Sequence, residues 1–291
     1  VRLGFIVERL LQLIPVLIGI SLVVFLMMAL TPGDPVEIML GDQLATAEQK
    51  ESLRRDMGLD MPVAERFARF VKNALGGDFG RSFFHRRPVA EVIAERLPAT
   101  IELTIVAMLI ALAVAIPLGV LAAVRRGSLI DKAATVMSLV GVSMPGFWLG
   151  IMLILLFAVH LGWMPVSGRI DYAFEVPRIT GMILFDSLVQ GRYAAFLNAL
   201  HHILMPAVTL GLAMAALLMR VTRISMIEVL QQDYIVFAEA KGLSRARVLV
   251  RHALKNALIP TVTVAALETG YLLGGNKIVE MVFGWPGLAR V

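Results

Sequence analysis

The chain has 291 residues, 58% hydrophobic and 17% charged, with a formal net charge of +5 and no cysteine. Soluble domains carry roughly 45–50% apolar and about 25% charged residues, so a water-soluble globular enzyme is excluded. The absence of cysteine also excludes disulfides, thiolate zinc sites and a cysteine nucleophile.

A membrane-crossing helix needs about 20 apolar residues. Residues 10–30 supply 21 without a formal charge. That run is too long for the apolar core of a signal peptide. It is followed by Thr31-Pro32-Gly33-Asp34-Pro35 and not by a small-residue cleavage site, so it reads as a retained span. The segment 31–96 is too long for a simple turn. Thr46-Ala47-Glu48-Gln49 opens like a capping box, which predicts a helix over 45–57. Val63, Phe67, Phe70, Val71 and Ala74 recur at helical spacing over 62–75, and Gly76-Gly77 ends that pattern.

Residues 103–124, 133–161 and 194–219 are further uncharged runs of 22, 29 and 26 residues. A fifth run, 256–283, is weaker because Glu268, Lys277 and Glu280 interrupt it. Each of the five holds one of Pro15, Pro117, Pro145, Pro206 and Pro260. Proline is tolerated in membrane helices where neighbours re-satisfy the backbone. Small residues such as Gly119, Gly141, Gly211 and Gly270 allow such helices to approach closely. The expected fold is an all-α polytopic membrane protein with five spans in one domain, 1–291.

Orientation follows from basic residues in short loops. The segments 1–9, 125–132 and 220–255 together carry a net charge of +7, whereas 31–96 and 162–193 carry −1. The N-terminus and 220–256 are therefore expected in the cytoplasm. The segments 31–96 and 162–201 are expected outside. The basic balance is a topology signal, since no basic patch interleaves with exposed aromatics as nucleic acid would require.

Familiar catalytic devices are missing. There is no G-x-x-x-x-G-K-[S/T] phosphate loop, H-E-x-x-H, G-x-S-x-G or calcium-loop pattern. His201 and His202 are adjacent, so on a helix they point about 100° apart and do not share a metal. His160 and His252 stand alone.

The segment 220–260 is the informative one. Met226, Val229 and Leu230 form one apolar stripe. A short helix through Ile235, Ala238 and Glu239 is expected to end at Gly242. Ser244 is placed to cap a third helix over 245–255. The pattern is a helix-turn-helix elbow.

The elbow residues Glu239-Ala240-Lys241-Gly242, with Asn256 and Pro260 downstream, resemble the EAA loop of ABC importer permeases of the peptide/nickel/oligopeptide branch. Blocks in the same order support the resemblance along the chain: Thr31-Pro32-Gly33-Asp34-Pro35, Leu97-Pro98-Ala99-Thr100-Ile101-Glu102-Leu103-Thr104 and Ser143-Met144-Pro145-Gly146-Phe147-Trp148-Leu149-Gly150. Met164-Pro165-Val166-Ser167-Gly168-Arg169, Arg220-Val221-Thr222-Arg223 and Phe283-Gly284-Trp285-Pro286-Gly287-Leu288 continue it. The insertion between Arg169 and His201 is most similar to the B subunits of dipeptide permeases.

The resemblance implies a type I transmembrane domain paired with a homologous second permease in the lipid bilayer. It also implies two cytoplasmic ABC ATPases that bind ATP and Mg, and a periplasmic peptide-binding protein. No cofactor is expected in this chain. Ala238, Glu239, Ala240, Lys241, Gly242, Leu243, Asn256 and Pro260 would couple it to the ATPase. Relatives that import glutathione, nickel chelates, haem or oligopeptides share most blocks. A membrane-embedded enzyme and a passive channel are the readings outside the class.

Three places depart from the family pattern. Family members have a sixth span after the Pro-Gly-Leu block, so one is expected beyond Val291. Asn276-Lys277 stands where small or aliphatic residues are usual, and Glu268 where glutamine is common. Lys277 and Glu280, at i and i+3, are expected to pair, with Glu268 on the opposite face. These three residues are expected at the translocation path or its outer gate.

Overall fold

The computed structural model describes residues 3–31, 36–37, 46–56, 58–82 and 85–290. The Pro32–Pro35 block and the ends of the expected helix 45–57 lie outside the described residues. The chain divides into two compact units, Val1–Ala94 and Glu95–Val291.

In the first unit, α1 (Leu3–Leu30) is one long apolar helix interrupted by no charge after Arg9. Helix α2 (Ala47–Asp56) begins with the expected reciprocal cap. Thr46 N–H donates to Gln49 Oε1 at 3.0 Å and Gln49 N–H to Thr46 Oγ1 at 3.3 Å, satisfying donors that an uncapped helix leaves open. Helix α3 (Val63–Leu75) stops at Gly76, and Gly77 takes φ +84°. Phe67 and Phe70 stack around Phe25 of α1, with centroids 5.4 and 6.2 Å away. The apolar spacing of 62–75 thus serves α1.

The second unit is organised around two long helices. Helix α4 (Val89–Val124) carries buried Ala99, Ala107, Ala111 and Ala115 on one face. Helix α8 (Tyr193–Leu230) packs against it. Their approach depends on missing side chains. A Cβ at Gly119 would lie 2.8 Å from Met219 O, and one at Gly211 would lie 2.8 Å from Ala107 O. Gly141 does the same for α5 (Leu129–Ser143), where a Cβ would meet Ala216 Cβ at 2.7 Å. Small residues here replace the hydrophobic driving force that helices lack in lipid. Gly270 differs, because its Cβ position is open.

The run 133–161 is not one straight helix. Helix α5 and the next segment, α6 (Gly146–Leu153) continued by π-helical Ile154–His160, meet at 100°. Met144 and Pro145 are extended at the bend, with ψ 123° and 127°. Proline removes its N–H and pushes the residue before it out of the helical region. A short α7 (Ile183–Val189) lies within 162–201.

The fifth run is also rearranged. The expected third elbow helix does not stop at residue 255. Arg245–Arg247 leads through a π-helical stretch, Val248–Leu254, directly into α10 (Lys255–Leu273). That helix ends at Gly274, with Gly275 at φ +86°, and a separate α11 (Lys277–Val282) follows. Among the described residues, three helices are long and apolar enough to cross a membrane, or four if the bent pair is one span.

Candidate functional site

The elbow is built by the C-terminus of α9 (Asp233–Ala240). Gly242 N–H donates to Glu239 O at 2.9 Å and Leu243 N–H to Ala238 O at 3.4 Å. This is the paired bond pattern of a Schellman turn, which needs a left-handed residue between the two donors. Gly242 supplies it with φ +80°. Leu243 then folds back against a small core formed by Met226, Ile235, Ala238, Val248, Ala253 and Ala257. Ser244 is extended at the start of the next helix, but its side chain makes no cap bond.

Helix α9 is held on one side only. Ile235 is 2% exposed and Ala238 is also buried. Val236 and Phe237, 58% and 61% exposed, face outward with Glu239, Ala240, Lys241 and Gly242. Lys241 Nζ sits 4.3 Å from the Phe237 ring centroid, a cation–π contact. The surface is therefore apolar at its centre and charged at its rim.

Asn256 and Pro260 belong to α10, yet Asn256 reaches back to the elbow. Its Nδ2 donates to the Tyr234 hydroxyl at 2.8 Å and to His252 O at 3.3 Å. Pro260, exposed one turn on, has no N–H to give the Asn256 carbonyl. Tyr234 was not among the residues the sequence singled out. Its only local signal was an aromatic next to the first residue of α9.

The residues assigned to a path or gate separate. Glu280 is 1% exposed and lies beneath the last described segment. Its Oε2 accepts from Ala289 N–H at 3.0 Å, and a Cβ at Gly287 would collide with its carboxylate. Lys277 is exposed and forms no ion pair with Glu280 among the described residues. The expected i, i+3 pair is thus corrected. Lys277 starts α11 on its outer side, while Glu280 turns inward to close the turn after it. Glu268 is half-buried on α10, with the Gly274–Gly275 break between it and Lys277.

Three sequence blocks converge beside Glu280. Trp285 Nε1 donates to Ala99 O at 3.0 Å and Leu288 N–H to Thr100 Oγ1 at 2.9 Å. Arg169 pairs with buried Glu102, donates to Gly181 O at 3.0 Å and stacks 5.4 Å from the Trp285 ring. Glu102 also accepts from Leu184 N–H. No single stretch of sequence signals this cluster, because Glu102 and Arg169 are 67 residues apart.

The segment after Arg169 is held by Asp186, which accepts from Ile179 N–H, Thr180 N–H, Thr180 Oγ1 and Gly181 N–H. Burial opposes its ionisation, but these four donors outweigh burial and hold its carboxyl below the usual aspartate value. His202 is buried and His201 exposed, as expected for neighbours on a helix. Among the described residues no group of His, Asp and Glu is placed to hold a metal ion.

Residues 115–291 match the family model described as binding-protein-dependent transport system inner membrane component. Residues 2–104 match the model of the N-terminal part of such membrane components. The chain is 45% identical, over 291 aligned residues, to the dipeptide transport system permease protein DppB of Escherichia coli (strain K12), covering 99% of this chain and 86% of that protein. It is 43% identical over 288 residues to the di/tripeptide transport system permease protein DppB of Pseudomonas aeruginosa (strain UCBPP-PA14), with the same coverage. The glutathione transport system permease protein GsiC of Escherichia coli (strain K12) is 39% identical over 289 residues, covering 99% of this chain and 85% of that protein. The chain belongs to the family of inner membrane components of binding-protein-dependent transport systems.

Proposed function

We propose that this chain is the permease subunit of an ATP-driven importer that moves dipeptides or other short peptides from periplasm to cytoplasm. The observation that carries the reading is the elbow. Helix α9 is pinned by Ile235 and Ala238, closed by Gly242 and left bare on its Val236–Phe237 side. An apolar helix face with a charged rim fits a groove on a partner protein. In this reading that partner is one of two cytoplasmic ATPases, which bind ATP and Mg. Ala238, Glu239, Ala240, Lys241, Gly242, Leu243, Asn256 and Pro260 position the contact. The chain itself holds no nucleotide.

A second permease subunit completes the membrane part, and a periplasmic binding protein delivers the peptide. The protein lies in the bacterial inner membrane with its N-terminus and 220–256 inside and with 31–96 and 162–201 outside, as the loop charges favour. The helices after 244 make the fifth span. A charge in a span costs at least about 2.5–3.5 kcal/mol at the centre, so Lys277 and Glu268 face water, a partner or the path itself. Glu280 sets the turn beside them. The 39% identity to a glutathione permease makes glutathione import the second reading.

Reconstitution with both ATPases, the second permease and the binding protein tests the reading. ATP-dependent uptake of labelled dipeptide is expected, with glutathione as the competing substrate. Uptake without the ATPases, or a reaction catalysed by this chain alone, would overturn it.

A further inference from the structure

A groove of about 400 Å³ runs between α5 and α8. Thr135, Ser138, Leu139 and Val142 of α5 and Arg220 and Arg223 of α8 line it. Arg223 meets Asp131 and Ala216 meets Gly141, so the arginines lie toward the Thr135 end and Val142 toward the other. Along α5, Thr135 and Val142 are seven residues apart, about 10 Å of rise. The two arginines differ. Arg223 is engaged by Asp131, which also accepts from Gly127 N–H at 2.9 Å. Arg220 is exposed and has no hydrogen-bond or ion-pair partner among the described residues. The groove therefore presents one uncompensated positive charge above an apolar wall.

We propose that this groove holds an anionic phospholipid of the inner leaflet, its phosphate on the Arg220 guanidinium and one acyl chain along Leu139 and Val142. The proposal rests on the cytoplasmic placement of 220–256 given above. The polarity gradient has the direction that an inner-leaflet lipid requires. Arg220 directly follows the apolar run 194–219, at headgroup depth, and α5 descends from there into the apolar layer. Basic pockets between helices on the cytoplasmic side attract anionic headgroups. A peptide would satisfy Arg220 with its carboxylate, but it brings no long tail for Leu139 and Val142, which are largely exposed.

The test uses the assembled importer in nanodiscs of phosphatidylethanolamine with and without phosphatidylglycerol. Native mass spectrometry reads the phosphatidylglycerol retained. One basic side chain at a membrane surface corresponds to about a fivefold loss of retention, expected for Arg220→Gln and not for Arg220→Lys. Leu139→Trp, which fills the apolar end, should lower retention while leaving Arg220 in place. Equal retention in Arg220→Gln and the unaltered chain overturns the proposal. So does protection of the groove by inorganic phosphate alone, or photocrosslinking of a dipeptide probe there in place of lipid. A crosslink from Val142→Cys to the second permease would show the groove covered by protein and would also overturn it. Thiol labelling of Ser244→Cys reports the topology separately, so an inside Ser244 with no retained lipid removes this proposal alone.

Discussion

Asn256 and Tyr234 lie on different helices, and the Asn256 amide donates to the Tyr234 hydroxyl at 2.8 Å. The bond ties the start of the long outgoing helix to the second residue of the elbow helix. A hydrogen bond of this kind contributes about 0.5–1.5 kcal/mol net, and exposure puts this one at the low end. Tyr234→Phe should leave membrane insertion unchanged and lower transport per ATP hydrolysed in the reconstituted importer. Asn256→Ala should have a similar effect, and the double variant should add little. Additive losses would show that the two residues act independently.

Gly242 is held at φ +80° by two backbone bonds. The added Cβ meets no neighbour, so the cost of substitution is backbone strain alone. A left-handed conformation costs an ordinary residue about 1–2 kcal/mol, and a β-branched one more. Gly242→Val should abolish transport and ATPase co-purification while membrane levels hold. Gly242→Asn should retain much of both, because asparagine tolerates that region. Normal transport by the valine variant would remove the elbow from the coupling machinery.

The absence of cysteine makes topology directly measurable. Ser52 is exposed on α2, and Ser244 is exposed beside the elbow. Single cysteines at these positions should differ in whole cells. A membrane-impermeant thiol reagent should label Ser52→Cys and leave Ser244→Cys unlabelled. The reverse pattern would invert the whole arrangement.

Lys277 and Glu280 should separate in their effects. Glu280 accepts a backbone hydrogen bond in a buried turn, so Glu280→Ala should destabilise the second unit where 285–289 folds back over α11. Removing a buried hydrogen-bonding partner costs about 1–3 kcal/mol. Lys277→Met should leave thermal stability unchanged and alter substrate-stimulated ATPase activity. Equal thermal shifts in the two variants would contradict the burial difference.

Asp186 gives a pH dependence with a definite sign. The hydrogen bonds from Ile179, Thr180 and Gly181 hold its folded carboxyl below the ordinary aspartate value of about 3.9. Its contribution to stability is therefore complete above that value and is lost as pH falls through the lower folded value. Limited proteolysis of the 162–192 segment should rise on acidification below about the ordinary carboxylate pKa. Asp186→Asn should raise cleavage at neutral pH and flatten that dependence.

The features legible in the sequence are local ones. Thr46 and Gln49 are three residues apart, so a capping box is written in adjacent letters. Gly77 and Gly242 mark helix ends, because few other residues adopt their positive φ. The grouping of Ile235, Ala238 and Glu239 marked the elbow helix, and of the three Ile235 and Ala238 are buried while Glu239 is exposed. The misses have a different origin. Periodicity does not distinguish a straight span from one bent by 100° when both halves are apolar. The boundary at Ser244 is real, but the end expected at residue 255 is not, because the helix from Arg245 continues through a π-helical stretch to Leu273. The Lys277–Glu280 pairing failed because a backbone donor at Ala289 competes for the same carboxylate. The Arg169 cluster joins residues far apart in sequence, and only the folded chain brings them together.

Helix α8 runs unbroken for 38 residues. At 1.5 Å per residue it is about 57 Å long, against a hydrocarbon layer of about 30 Å. Roughly 27 Å of rigid rod therefore stands beyond the oily layer, much of it on the elbow side. Such a rod is a lever. A tilt of about 5° about the middle of the helix swings each end, about 28 Å away, through roughly 2 Å, a displacement on the scale of a side-chain contact. A small rotation at either end can thus be felt at the other with no helix breaking between them.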